Sequence, residues 1–149
     1  MEPTDENKAV VRRFLEEFYR KGNLDIFDEL LSPDFFFMGV GGEVQGDIQR
    51  LKEIAATTHE LIQTAVPDFT FEIDELSAER NSVSGRFNER GTMNGPYVIG
   101  PTRIEPTGKS FSLTTIEVFH LQDGLIEERW ATRDRLGFLQ QVGAPVSIG

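Results

Sequence analysis

The sequence predicts an α+β fold in which three helices wrap a curved antiparallel sheet. Up to Thr64, apolar residues recur at three- and four-residue spacing, which indicates amphipathic helices. After Pro67 the apolar period falls to two, as Phe69, Phe71 and Ile73 illustrate, and this indicates strands. Helices followed by a run of strands are typical of the α+β class, and a curved sheet with helices on its concave side leaves a cone-shaped cavity.

Three helices and one inserted strand are predicted before the main run of strands. We place the helices at residues 7–21, 24–31 and 47–64, and a buried strand at residues 35–40. Gly22 ends the first helix in the C′ position and Pro33 ends the second, so these two helices form a hairpin. Asp47 stands where the third helix needs an N-cap.

The second half of the chain predicts four antiparallel strands and a short closing helix. The strands begin at residue 69, and the later ones cover residues 83–93, 111–121 and 125–134. A loop rich in Gly and Pro at residues 94–108 is long for a hairpin, so we expect it to form a rim or lid. The closing helix covers residues 135–142 and ends at Gly143.

The last strand carries the candidate site. Strict alternation puts five residues on one face, which we expect to line the pocket: Ile126, Glu128, Trp130, Thr132 and Asp134. The pairing of the strand before it depends on the turn at Asp123-Gly124. A two-residue turn would place Glu117 opposite Trp130, and a three-residue turn would place Ile116 there. We favour the three-residue turn, because it brings Ile116 to the face of Trp130.

Asp134 has two candidate roles, which do not exclude each other. It stands where the closing helix needs an N-cap, and an acid at the mouth of an apolar pocket is also a candidate general acid/base. Arg133 and Arg135 would lower its pKa if they lie close, whereas burial beside Trp130 would raise it.

The two histidines do not form a recognisable catalytic or metal site. In either register His120 lies roughly 25 Å of strand from the level of Asp134, so we expect no direct contact between them. His59 stands on the edge of the third helix, and no second histidine or acid cluster follows metal-ligand spacing. We therefore predict no metal.

Composition excludes several classes of protein. The 149 residues contain no repeat or linker, which predicts one domain over residues 1–149, and the absence of cysteine excludes zinc fingers, thiol nucleophiles and disulfide scaffolds. A net charge of −10 argues against nucleic acid or an anionic membrane as partner. Without a signal-like or membrane-spanning segment, we expect a cytoplasmic protein. Twelve phenylalanines predict an aromatic core or an apolar pocket wall.

Short motifs along nearly the whole chain resemble those of the SnoaL-like polyketide cyclases, a branch of the nuclear-transport-factor-2-like superfamily. The order in which the motifs follow one another carries the resemblance. They are NKAVVRRF (7–14), GNLD (22–25), LSPDF (31–35), PDF (67–69), PTGK (106–109), DGLI (123–126) and LGFLQQ (136–141).

The resemblance implies a cone-shaped sheet wrapped by three helices, a homodimer formed through the outer face of the sheet, and an apolar pocket without metal or organic cofactor. The best-known members close a polyketide ring by intramolecular aldol condensation, with an aspartate as acid/base. Asp134, in the pattern that starts at Trp130, matches that aspartate. Where many relatives carry polar residues after the LSPDF motif and an acid after the tryptophan, this chain has Phe36 to Gly39 and Ala131, which implies a more apolar pocket.

The leading interpretation is a cofactor-free acid/base enzyme that acts on a small apolar carbonyl compound, by aldol-type cyclisation or isomerisation. Asp134 is its expected catalytic residue. The expected pocket residues are Phe18, Phe36, Met38, Ile116, Trp130 and Thr132. Two alternatives stay open: a non-catalytic protein that binds an apolar small molecule, and a dimerisation or association module.

Overall fold

The computed structural model describes residues 3–39, 42–99 and 101–146. Its strands are β1 (Leu31–Gly39), β2 (Gly42–Gln45), β3 (Thr70–Glu79), β4 (Ser82–Thr92), β5 (Tyr97–Ile99), β6 (Thr102–Ile104), β7 (Ser110–Gln122) and β8 (Leu125–Arg133). Six of them form one sheet in the order β2-β1-β8-β7-β4-β3. Strand β1 runs parallel to β8, and the other neighbouring strands are antiparallel. The predicted α+β fold with a curved sheet is confirmed.

Within the described ranges, four α-helices accompany the sheet: α1 (Pro3–Leu15), α2 (Ile26–Leu30), α3 (Ile48–Ala65) and α4 (Arg135–Gln141). Helix α1 begins before the predicted residue 7 and continues as a π-helical turn over Glu16–Arg20. Asp47 caps α3 as predicted, because its Oδ1 accepts a hydrogen bond from the Arg50 backbone N–H at 2.9 Å. Among the described residues, no helix is long and apolar enough to cross a bilayer.

The segment predicted as a long loop contains a second, two-stranded sheet. Strands β5 and β6 follow β4 and precede β7 along the chain, and they pair antiparallel with each other, with Tyr97 opposite Ile104. Ile104 is buried in an apolar cluster with Met93, so this hairpin is packed against the body of the protein. The loop prediction did not include these two strands, because the alternation in two three-residue strands is too short to be read from sequence. Its role as a rim or lid stays a prediction.

The turn between β7 and β8 differs from the one we favoured. Gln122 pairs with Leu125, so the turn has two residues, Asp123 and Gly124. Their φ angles are 52° and 78°, and these positive values are those of a type I′ hairpin turn. The favoured three-residue turn was therefore wrong.

A β-bulge in β8 decides which side chains face the helices. Leu121 pairs with Ile126, and the next pair is His120 with Glu128, which leaves Glu127 as an extra residue. An extra residue reverses the alternation of everything that follows it. Ile126, before the bulge, is fully buried, and beyond the bulge the inward-facing residues have odd numbers.

The face predicted to line the pocket is therefore corrected. Beyond the bulge, Arg129, Ala131 and Arg133 face the helices. Trp130 and Thr132 face the opposite side, here called the outer face of the sheet. Their neighbours across the strand pair are Val118 for Trp130 and Ile116 for Thr132. Ile116 does share a face with Trp130, as predicted, but that face points away from the helices.

Aromatic residues fill the inner side of the sheet. A larger cluster packs the first two helices onto the sheet, and its fully or almost fully buried rings belong to Phe14, Phe27, Phe35, Phe87 and Phe119. A smaller cluster lies around α4, where the Phe111 and Phe138 rings meet edge to face at 5.0 Å. Between these clusters the inner side of the sheet is open.

Candidate functional site

The candidate site is a cavity of about 520 Å³ between the inner face of the sheet and the helices. Its volume lies in the range of small-molecule sites. Most of its wall is apolar. The wall comes from helices α1 and α3, the π-helical turn, strands β1 and β7, the β5–β6 hairpin and the residues just before β3, and it includes Phe14, Phe18, Phe37, Leu51, Ile62, Phe69, Val98 and Phe111. A few charged and hydroxyl groups from β4, β8 and the π-helical turn enter this wall.

One polar group in the wall is the hydroxyl of Tyr19. Arg129 Nη2 donates a hydrogen bond to Tyr19 Oη at 3.0 Å, and Arg129 Nε donates to the fully buried carboxylate of Glu117. The Tyr19 ring stacks on Phe71, with the ring centroids 4.2 Å apart and the planes 6° apart. Burial raises the pKa of Tyr19 to about 12, and the nearby Glu117 charge adds to this shift while Arg129 opposes it.

These contacts fix what the Tyr19 hydroxyl can do. The raised pKa keeps the phenol protonated at neutral pH. Its oxygen already accepts a hydrogen bond from Arg129, and no acceptor for its own hydrogen lies within the described part of the chain. The hydroxyl hydrogen is therefore available to a ligand in the cavity.

A second polar group is the carboxyl of Glu89, on β4. Only 3% of Glu89 is exposed, and its Oε1 accepts a hydrogen bond from Arg133 Nη2 at 3.2 Å. Burial raises the pKa of Glu89, Arg133 opposes the shift, and the Glu117 charge reinforces it. A carboxyl in this setting can take up and release a proton closer to neutral pH than an exposed one.

Tyr97 and Arg135 also line the cavity. Burial raises the pKa of the Tyr97 phenol, while Arg133 and Arg135 each oppose that shift and Glu89 adds to it. Glu89 and Arg133 line the cavity as well, so all four groups are part of its wall.

Asp134 caps helix α4, as predicted. Its Oδ1 accepts a hydrogen bond from the Gly137 backbone N–H at 2.8 Å, and the residue is exposed. Arg133 and Arg135 on either side line the cavity, whereas Asp134 is outside the cavity wall. A catalytic role for Asp134 stays a prediction.

The structure divides the predicted pocket residues into two groups. Phe18 and Met38 line the cavity, and their role in binding stays a prediction. The remaining four lie on the outer face and are not among the residues that line the cavity, and their role in binding stays a prediction: Phe36, Ile116, Trp130 and Thr132. Trp130 and Ile116 are each 43% exposed, and the Phe36 ring packs against Trp130 with 5.3 Å between centroids.

Glu89 is the site residue that sequence reasoning missed. It follows Val83, Gly85 and Phe87 on the apolar face of its strand, where a charged residue is out of place. That contrast was a readable signal. The sequence did not indicate Arg133 in this way. Strict alternation places Arg133 on the face opposite to the predicted pocket, and only the bulge at Glu127 turns it towards the cavity.

His59 lines the cavity, and its buried Nε2 has no hydrogen-bond partner among the described residues, whereas His120 lies outside the cavity wall. His120 Nδ1 lies 3.2 Å from Glu128 Oε2 on the outer face. The His59 ring packs over Gly22, where a Cβ atom would come within 2.5 Å of His59 Nε2. In residues 3–39, 42–99 and 101–146, no group of three acids or histidines is placed to hold a metal ion.

Comparison with known proteins gives a family and a set of similar folds. The family model for SnoaL-like polyketide cyclases matches residues 9–142. Among curated proteins, none matches this chain. A protein from Jannaschia sp. CCS1, assigned as a SnoaL-like polyketide cyclase, is 21% identical with a TM-score of 0.76, and the alignment covers 98% of each chain.

Two streptomycete structures are similar to the same degree. TsrD from Streptomyces laurentii is 24% identical with a TM-score of 0.74, covering 97% of this chain and 100% of TsrD. Wild-type IdmH from Streptomyces antibioticus, assigned as a polyketide cyclase, is 24% identical with a TM-score of 0.73, covering 93% of this chain and 99% of IdmH. At these identities the likeness establishes the fold.

Proposed function

Because this chain belongs to the SnoaL-like polyketide cyclase family, we propose that it is a cofactor-free acid/base enzyme acting on an apolar carbonyl compound. The reaction is an aldol-type cyclisation or an isomerisation. The observation that carries this proposal is Glu89, a buried carboxyl whose pKa is raised, in the wall of an otherwise apolar cavity. An apolar wall with a few convergent polar groups is the usual form of a small-molecule site.

In the proposed mechanism, the Glu89 carboxylate removes a proton from the carbon next to a carbonyl group of the ligand. The resulting enolate carbon attacks a second carbonyl carbon of the same molecule, and a carbon–carbon bond forms. The hydroxyl of Tyr19 donates a hydrogen bond to the oxygen on which negative charge develops. As the carbon–carbon bond forms, the first carbonyl group re-forms and the negative charge passes to the oxygen of the attacked carbonyl. Glu89 returns its proton to this alkoxide oxygen, so the product is a hydroxy ketone and the protein ends in its starting state. For an isomerisation, the proton returns to a different carbon.

Arg133 and Arg129 act as positioning residues in this scheme. Arg133 holds the Glu89 carboxylate, and Arg129 holds the Tyr19 oxygen. Because each guanidinium also carries a positive charge, both favour the anionic forms that arise during proton transfer.

The family resemblance supports Asp134 as an alternative acid/base. Its surroundings favour it less, because it is exposed and its Oδ1 already caps α4. Glu89 lines the cavity and Asp134 does not, which favours Glu89 as the acid/base.

The test is proton exchange at carbon. We suggest following loss of the α-proton signals of 2-tetralone in D₂O by NMR, with wild type, Glu89→Gln and the exposed control Glu75→Gln. Glu89→Gln should lower the protein-dependent rate by about 10²-fold or more, which is the usual contribution of a general base. Glu75→Gln should match wild type. If wild type and Glu89→Gln exchange equally, the role of Glu89 is wrong.

We also propose that the protein is a homodimer formed through the outer face of the sheet. Ile116 and Trp130 are large apolar residues, each 43% exposed, and Phe36 packs beside Trp130. A contiguous apolar surface of this kind is typical of an interface between subunits.

A further inference from the structure

The charge of the cavity is opposite to that of the chain. The sequence contains 25 Asp and Glu against 15 Lys and Arg. The described residues that line the cavity include four arginines and one acid: Arg20, Arg129, Arg133, Arg135 and Glu89. Three of these arginines pair with acids of the protein: Arg20 with Glu16, Arg129 with Glu117 and Arg133 with Glu89. Within the described residues Arg135 has no acid partner, and an unmatched guanidinium group in the wall of a ligand-sized cavity indicates an anionic ligand.

Two of these arginines are committed to the protein. Arg129 donates to both Glu117 and Tyr19. Arg20 donates through Nε and Nη2 to the backbone carbonyl oxygen of Phe71, at 3.3 Å in each case. Both guanidinium groups already donate hydrogen bonds to acceptors of the protein, so they do not need a ligand as acceptor.

The other two arginines have donors to spare. Arg133 uses Nη2 for Glu89, and within the described residues its Nε and Nη1 meet no acceptor. Arg135 makes no hydrogen bond or ion pair in the described part of the chain, although it lies in the cavity wall. Arg133 ends β8 and Arg135 begins α4 two residues later, and both line the cavity.

We propose that Arg133 and Arg135 bind the carboxylate of an apolar ligand whose body fills the rest of the cavity. A guanidinium group can offer two parallel N–H donors that match the two oxygens of a carboxylate. The Glu89 carboxylate beside Arg133 would repel a second negative charge, which favours a carboxylate over a phosphate-type dianion. The proposal depends on the proposed function only in that the cavity is the ligand site, and it does not depend on turnover.

The experiment compares one apolar body with three head groups. Isothermal titration calorimetry would measure binding of 2-naphthoic acid, its neutral methyl ester and 2-naphthylphosphonic acid near neutral pH. We expect the acid to bind at least about tenfold more tightly than the ester, which corresponds to a charge-assisted hydrogen bond. The phosphonic acid should bind more weakly than the carboxylic acid.

Three variants test which arginines cause the preference for the acid over the ester. Arg135→Gln breaks no ion pair in the described part of the chain, so it is the main variant, and it should remove most of the preference for the acid over the ester. Arg133→Lys keeps a cation beside Glu89 but loses the paired donors, and it should weaken binding of the acid in the same direction. Arg86→Gln, on the outer face with Asp74 and Glu75 as partners, is the matched control and should behave as wild type.

The outcomes separate this inference from the proposed enzyme activity. Equal affinity for acid and ester, a preference that survives in Arg135→Gln, or no binding of any of the three probes would overturn it. A clear acid preference that depends on Arg135, in a protein that does not accelerate α-proton exchange, would uphold the carboxylate site and contradict the proposed catalysis.

Discussion

At the scale of single residues, Glu89 and Asp134 differ in their surroundings. Glu89 is almost completely buried and contacts one arginine, whereas Asp134 is exposed and bound to a backbone N–H. Burial makes the charged form of Glu89 costly, so its proton affinity depends on the cavity and on what the cavity contains. Asp134 contributes to the stability of the fold, because its carboxylate caps the N-terminus of α4. This contrast gives two predictions.

The first prediction concerns the pH dependence of turnover. Glu89 must be ionised to accept a proton, so kcat/KM should fall as the pH falls through the pKa of Glu89. Because burial raises that pKa above its ordinary value of 4.5, the fall should begin at a higher pH than for an exposed glutamate. The pKa of Tyr19, raised to about 12, predicts no alkaline loss from this residue below about pH 10. A kcat/KM profile that stays flat down to pH 4.5 would contradict the assignment.

The second prediction concerns the stability contributed by Asp134. Asp134→Ala removes the acceptor for the Gly137 N–H and should lower the free energy of unfolding by about 1 kcal/mol. Asp134→Asn keeps an oxygen acceptor at the N-cap and should stay within a few tenths of a kcal/mol of wild type, by roughly the same scale. Urea unfolding followed by circular dichroism measures both. Equal losses in the two variants would show that the cap geometry is not what Asp134 contributes.

At the scale of elements, the sequence predicts where helices and strands lie better than which way their side chains point. Periodicity identified α1, α3 and the four long strands β3, β4, β7 and β8, because each spans several repeats of its own period. The bulge at Glu127 has no such signature, since one extra residue leaves the apolar pattern on either side intact. The predicted pocket face of β8 was wrong for that reason, and Trp130 with it.

The Pro67-Asp68-Phe69 motif, at the start of β3, ties that strand to the end of β4. Asp68 Oδ1 accepts from the Thr92 backbone N–H and Oδ2 from the Thr92 hydroxyl, each at 2.8 Å. These donors lower the pKa of Asp68 below its ordinary value of 3.8.

Linkage gives the sign of the effect that Asp68 has on stability. A lowered carboxyl pKa in the folded state adds stability above the unfolded pKa, and this stability is lost as the pH falls through the folded value. Wild type should therefore exceed Asp68→Asn in thermal stability at neutral pH, and the difference should shrink below pH 3.8. Scanning calorimetry across this range measures it, with Asp123→Asn in the β7–β8 turn as a control. A difference that does not depend on pH would contradict the ionic contribution.

At the scale of the whole molecule, the sheet separates two surfaces that differ in composition. Its inner face, with the helices, encloses a cavity where two arginines, one acid and a phenol have groups available to a ligand. Its outer face presents Trp130 and Ile116, and within the described residues no helix covers them. The predicted pocket combined residues of both surfaces, because alternation alone does not say which face of a strand is the inner one.

The outer face leads to a prediction about assembly. If it forms a homodimer interface, Ile116→Lys combined with Trp130→Lys should give a monomer, because two buried charges in each subunit would lack partners. Light scattering coupled to size-exclusion chromatography measures the mass. Arg103→Glu, in the short hairpin, is a charge-changing control away from the outer face. A wild-type protein that is monomeric at the concentrations used would contradict the proposed dimer.

We propose that proton transfer takes place at Glu89 in the cavity and that Asp134 serves as a helix cap. The most direct measurement is the rate of α-proton exchange of an apolar ketone by Glu89→Gln and Asp134→Asn, side by side with wild type at one pH. Each substitution replaces a carboxylate by an amide of nearly the same shape. We predict that Glu89→Gln loses about 10²-fold or more of the rate and that Asp134→Asn keeps it. The reverse result, with Asp134→Asn inactive and Glu89→Gln active, would contradict the account.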